Sequence, residues 1–328
     1  ARKGIFNPET FMFQDIMFIF MAVMITDILL LDVFNTLGMP TSTTVSIVFE
    51  LLGAAVVISL IKISQNDTES FNAIWNYINY EKASLIIFGI LLSVVVAFSV
   101  GALVQFLSRL IYSFNFEKRP NYINALFGGF AITAITYFII IKGMKGTPFY
   151  VDVKHLIEDN TLLIIAGSFL LWTLISQLLI TFFNINILKL IIGIGTFSLA
   201  MAFSGNDLVN FVGVPIAAWN SYQVWETSGI SATTFSMGVL AQKVPSNVFL
   251  LLFAGAIMVL TLWTSSKARN VIKTGIDLSR QGEGHEKFKP NPLSRLVVRA
   301  SMGINLGLSY IIPAKTIAFV DSKFQKPV

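Results

Sequence analysis

Three hydroxyl side chains, Ser42, Thr43 and Thr44, follow a proline in the stretch GMPTSTTVSIVFE, residues 38–50. Proline disfavours helix at the residue before it and is at home in the first turn of one. Serine and threonine are good helix N-caps. A helix is therefore predicted to start here and to run through Val45 to Ile61. Its first turn offers unpaired backbone N–H groups, with hydroxyls beside them, at the positive end of the helix dipole. That is an anion site built without lysine. The same hydroxyls have a plainer use, which is to cap the helix or bond back to its carbonyls.

A second block, SGNDLVNF at residues 204–211, closes the apolar run Leu190 to Phe203. That run is shorter than the roughly 17–25 residues a helix needs to cross a bilayer. Asn206 and Asn210 are four apart and share a helix face, and Asp207 lies at its edge. An ionised carboxylate within the membrane is costly and is usually there for function. It would also repel an anion held nearby. The conflict resolves if a cation sits between them: sodium at Asp207, with amide and backbone oxygens as further ligands, or a proton on Asp207 itself. The chemistry is then that of anion–cation symport. The alternative is an Asn/Asp helix cap at the membrane surface. Glu50 shares a helix face with Ser46 and Gly53 and is a candidate cation ligand or proton carrier. Asp32, in the break before Gly38, joins the coupling candidates, and Asp27 also lies within apolar sequence. His155, beside Lys154 and Glu158, is read as solvated, and Gln177 as a helix-to-helix contact.

Lipid is the solvent these blocks must be read against. Charged residues make up 12% of the 328-residue chain, against roughly a quarter in soluble domains. Apolar runs fall at Ile16–Leu31, Val45–Ile61, Ser84–Ser113, Asn121–Ile141, Leu162–Phe183 and Val248–Trp263, which predicts an all-α polytopic membrane protein. Gly128-Gly129 allows close helix packing. The charged, glycine- and proline-containing stretch from Lys142 to Asn160 marks a boundary. Residues 1–145 are read as part of a first membrane repeat, 146–160 as a linker, and 161–328 as part of a second repeat. Each half holds a short or interrupted helix meeting a polar break, the sequence mark of a midplane site in a secondary transporter.

The net charge of +5 is concentrated in a basic segment at 265–300, read as cytoplasmic by the positive-inside rule. No aromatic platform interleaves those charges, so nucleic acid is set aside as a partner. Val297–Ile312 is expected to be an interfacial or terminal helix, and Trp219, Tyr222 and Trp225 an interfacial aromatic belt. Cysteine is absent, which excludes disulfides, thiolate metal sites and cysteine nucleophiles.

The two polar blocks resemble signatures of the inorganic phosphate transporter family, the phosphate permeases. That family carries Gly-Ala-Asn-Asp-x-x-Asn-Ala-x-Gly and Pro-Val-Ser-Thr-Thr-His motifs in each of two inverted halves. Here SGNDLVNFVG matches the first at Asn206, Asp207, Asn210 and Gly213, and MPTSTTVSIV the second at Pro40, Ser42, Thr43 and Thr44. Val45 stands in place of the usual His, Phe211 in place of a small Ala, and Glu50 at a helix position commonly small or apolar. The resemblance implies an inverted-repeat transporter with interrupted half-helices that moves inorganic phosphate together with sodium or protons. Ser42, Thr43, Thr44, Asn206 and Asn210 would hold phosphate, and Asp207 with Asn206, Glu50 and Asp32 the coupling ion.

Only one copy of each motif is present, and the chain starts ARKGIFNPE without an initiator Met. It is therefore read as the central portion of a longer protein, with the site incomplete in this chain. No cofactor is expected beyond the coupling ion. The expected setting is the inner membrane of a bacterium, among membrane lipid, with a homodimer as one form. The rivals are an intramembrane aspartyl hydrolase using Asp27 or Asp32 with Asp207, and a passive anion channel. The hydrolase lacks a Gly-x-Gly-Asp loop, and the channel needs no carboxylate beside its anion.

Overall fold

Helix α1 (Phe13–Leu37) begins where the Asp15 carboxylate turns back to accept the Met12 N–H at 2.9 Å. It ends at Gly38, whose φ of 62° places it in the left-handed region that suits glycine. Four residues later Ser42 caps helix α2 (Thr43–Gln65), its Oγ accepting from the Val45 N–H at 3.4 Å, so the predicted helix start at the Pro-Thr-Ser-Thr-Thr block is where the chain turns helical. There follow α3 (Ile74–Tyr77), α4 (Tyr80–Ile111), α5 (Asn121–Phe138), α6 (Thr161–Phe183), α7 (Ile187–Ser228), α8 (Val248–Thr264), α9 (Ser266–Ser279), α10 (Pro292–Ile311) and α11 (Ala314–Phe324). This computed structural model describes residues 5–66, 69–112, 120–140, 155–157, 159–241, 248–280, 284 and 288–324. Among them there is no strand, only two isolated bridges, Phe6 with Ile78 and Met12 with Ser236. The expected linker at 146–160 lies largely outside the described residues.

Among the described residues five helices, α1, α2, α4, α6 and α7, are long and apolar enough to cross a membrane, and α8 with α9 makes a sixth candidate bent by 69° at Ser265. The chain is an all-α polytopic membrane protein. One expectation is corrected. The apolar run ending at Phe203 is not a half-helix, because α7 continues without a break for 42 residues through the Asn-Asp block and past Pro215. Hydropathy ends at Ser204, but a helix supplies its own backbone hydrogen bonds and stops only where the chain cannot continue them. Proline removes only one such bond.

By packing, the chain divides into two units. The first comprises residues 1–97 and 206–289. Its core is a stripe on α1 (Phe13, Ile16, Phe20, Val23) set against an i+4 row on α2 (Ile47, Leu51, Ala55) and against Val214 and Ala217 of α7. The entrance to α1 is tied down at several points. Phe13 N–H donates to Phe235 O at 2.8 Å, and Met237 N–H to Phe11 O at 3.0 Å. The Phe13 ring stacks on Trp225 with centroids 4.5 Å apart. Lys62 near the end of α2 pairs with Asp15 at 2.6 Å and faces the rings of Phe11 and Tyr77.

The second unit comprises residues 98–205 and 290–328. Here α5 and α6 pack closely. A Cβ on Gly129 would overlap Thr173 Oγ1, and one on Gly128 would stand 2.8 Å from Ser176 Oγ, so the glycine pair is what lets the backbones approach. The amphipathic α10 buries none of its side chains.

Candidate functional site

The two polar blocks meet within the first unit. Thr43, in the first turn of α2, donates its hydroxyl to Asp207 Oδ1 of α7 at 2.9 Å. Asn210, one turn further along α7, donates its amide to Thr43 Oγ1 at 3.0 Å and to Thr44 Oγ1 at 2.9 Å. Thr43 is therefore a donor to the carboxylate and an acceptor from the amide at once. These residues are more than 160 positions apart in the chain, and the pairing answers why the apolar helix α7 can carry an Asp and an Asn: α2 supplies their partners. Ser42 remains exposed, with its Oγ turned to the backbone N–H of Val45.

Not every predicted residue joins this cluster. Asn206 is helical, but its side chain lies outside the described residues. Asp32 is engaged elsewhere, accepting from Lys267 Nζ on α9. Glu50 lies two turns along α2 from Thr43, about 10 Å at 1.5 Å per residue. It lines a cavity of about 780 Å³ between α1 and α2, which begins at Pro40, Thr41 and Ser42 and extends past Ser46 and Gly53. A second cavity of about 230 Å³ lies beneath Asn210, walled by Ile47, Leu51, Val214 and Ala217. Among the described residues, both carboxylate oxygens of Glu50 are buried and without a hydrogen-bond partner, as is Asp27 Oδ1 on α1.

Asp27 is the residue to which the sequence reading assigned no transport role. A signal for it was present. Asp27 continues the buried stripe Ile16, Phe20, Val23 at the spacing of three to four residues, so the face that buries the core also buries a carboxylate. Its neighbours on the turn, Thr26 and Leu30, line the larger cavity.

The fold and this cluster define an integral, multi-pass membrane protein with interior polar groups joined between distant helices. The chain belongs to the phosphate transporter family, whose profile matches residues 1–275, from the start of the chain to the last turn of α9. Membership points to a transporter rather than an enzyme. No curated protein and no solved structure matches the chain.

Proposed function

We propose that this chain moves inorganic phosphate across the membrane by symport with a cation, sodium or a proton, and that the first turn of α2 is the anion end of the site. Ser42, Thr43 and Thr44 supply hydroxyls there, next to backbone N–H groups at the positive end of the helix. Asn210, and Asn206 from the resemblance, add amides, and Asp207 takes the coupling ion. One observation supports this reading above the others, the Thr43 hydroxyl held between Asp207 and Asn210. While Thr43 donates to the carboxylate, it has no hydrogen left for an anion, because a hydroxyl carries one donor only. A cation or proton arriving on Asp207 competes for that carboxylate oxygen and frees the hydroxyl to turn to phosphate. Phosphate and cation then favour each other's binding, as symport requires. The inner membrane of a bacterium is the proposed setting.

The test is uptake of labelled phosphate into proteoliposomes under an inward sodium gradient, an inward proton gradient, or neither. Symport predicts accumulation above the external concentration under one gradient and equilibration without it. Uptake that only equilibrates under every gradient would identify a channel or uniporter and overturn the proposal.

A further inference from the structure

Helix α10 plays no part in the scheme above, and it starts beyond residue 275, where the match to the family ends. Asn291 caps it, its Oδ1 accepting from the Ser294 N–H at 2.7 Å. After it, Phe324 of α11 stacks on Phe106 of α4 with centroids 5.6 Å apart, and the Arg109 guanidinium sits over the same ring at 5.0 Å. The segment from α10 to α11 is thus fastened to a helix long and apolar enough to cross a membrane.

At 3.6 residues per turn the side chains of α10 fall on three strips. Asn291, Ser294, Ser301 and Asn305 line a cavity of about 670 Å³ shared with Phe98 of α4. Leu293, Leu296, Ala300, Ile304 and Ile311 form a continuous apolar strip, in which Ile304 is 65% and Ile311 80% exposed. Arg295 and Arg299, one turn apart, flank that strip on its other side. Both are exposed, α10 has no acidic residue, and neither arginine pairs with a carboxylate among the described residues. Twenty residues of helix, about 30 Å, would reach across a bilayer core, but that would place both arginines and the Ser/Asn strip in hydrocarbon. Lying flat on the membrane instead puts the apolar strip at the acyl boundary and the arginines among headgroups. A second copy of α10 would bring two more arginines and no carboxylate to pair with them. Anionic phosphates supply the missing counter-charge.

We propose that α10 is a docking helix for the surface of a membrane that contains anionic phospholipid. Its apolar strip enters the acyl boundary, Arg295 and Arg299 bind headgroup phosphates, and the Ser/Asn strip stays turned to α4. The positive-inside rule places the helix on the cytoplasmic leaflet, where anionic lipid gathers. The docking holds whichever solute the first unit moves.

The chain has no cysteine, so Ile304→Cys gives a single labelling position on the apolar strip. The full chain, carrying an environment-sensitive fluorophore there, is reconstituted into vesicles of phosphatidylcholine alone or mixed with phosphatidylglycerol. Nitroxides on the lipid chains should quench the label, and iodide in the water should hardly reach it. A nitroxide carried by phosphatidylglycerol should quench more strongly than one carried by phosphatidylcholine, and added salt should erase the difference. Replacing both arginines, Arg295→Gln with Arg299→Gln, should cut this preference by about tenfold or more, whereas Arg295→Lys with Arg299→Lys should retain it. Both side chains are exposed, so these changes leave the packing of the fold alone. Quenching by iodide and not by lipid overturns the docking. Disulfide cross-linking of two chains through Cys at 304, with the label shielded from lipid, overturns it too and assigns the face to a second copy. Equal quenching by the two lipids at low salt removes the anionic phosphate as what the arginines bind, and with it the proposal.

Discussion

The carboxylates of the first unit fall into two groups, and they differ in what the protein has done about them. Asp207 is engaged through Oδ1, which receives the Thr43 hydroxyl, and Thr43 in turn receives the Asn210 amide. Among the described residues, nothing donates to the three buried oxygens of Asp27 and Glu50. A buried polar group without a partner costs about 1–3 kcal/mol, and more if charged, so a fold that provides donors for one carboxylate would be expected to provide them for its neighbours. The difference teaches that helix packing satisfies a polar group only where a second helix brings a donor to it, as α2 does for Asp207. A preorganised hydrogen-bond network suits a site that must hold a shape for an anion.

The strongest way to break this comparison is to remove the charge of Asp207. Asp207→Asn keeps the shape and can still accept from Thr43, but it no longer attracts a cation or competes through charge for the hydroxyl. Cation-driven accumulation should be lost, while phosphate binding, measured by calorimetry, should weaken by no more than about tenfold, or 1.4 kcal/mol. If the variant concentrates phosphate with unchanged ion dependence, Asp207 is a structural acceptor and does not take the coupling ion.

Next in size is the hydroxyl itself. Thr43→Ala leaves Asp207 and Asn210 without the atom that joins them, and deletes one anion donor. The half-saturating phosphate concentration should rise about tenfold, the equivalent of 1.4 kcal/mol. Thr43→Ser keeps the oxygen and should stay near wild type. Unchanged affinity in Thr43→Ala would reduce the cluster to a clasp between α2 and α7.

How far this was readable beforehand depends on whether the information is local. The start of α2 was legible because Pro40 and Ser42 act on the backbone beside them. The Asp207–Asn210 face was legible because helical spacing alone sets it. The continuity of α7 was not, since hydropathy measures what lipid would accept and takes no account of the Thr43 and Thr44 hydroxyls that satisfy the polar block from another helix. The burial of Asp27 and Glu50 depends on how α1 and α2 are rotated against each other. That rotation is set by Phe20, Val23, Ile47 and Leu51 packing together, a tertiary property that neither helix carries by itself.

Stability separates the two groups more gently. Thr43→Ala takes the partner from the partly buried Asp207 Oδ1, while Asn210 keeps Thr44, and should lower stability by about 1 kcal/mol, a shift of a few degrees in melting temperature. Glu50→Gln takes a partner from no other described residue, so its melting temperature should not fall. A clear loss in Glu50→Gln would show that the carboxylate has a structural partner.

The smallest effect is expected at Asp32, which lies in α1 only five residues from Asp27 and which, unlike Asp27, the sequence offered as a coupling residue. Its side chain and that of Lys267 are 57% and 47% exposed, and an ion pair in that setting is worth about 0.2–1 kcal/mol. Asp32→Asn should therefore change melting temperature by a degree or two at most. Asp32 already has a cation as its partner and is open to its surroundings, so it has no need of a transported one. Cation-driven accumulation should accordingly remain at the wild-type level in Asp32→Asn while it is lost in Asp207→Asn. The reverse result would move the coupling ion from α7 to α1, to the carboxylate that Lys267 holds.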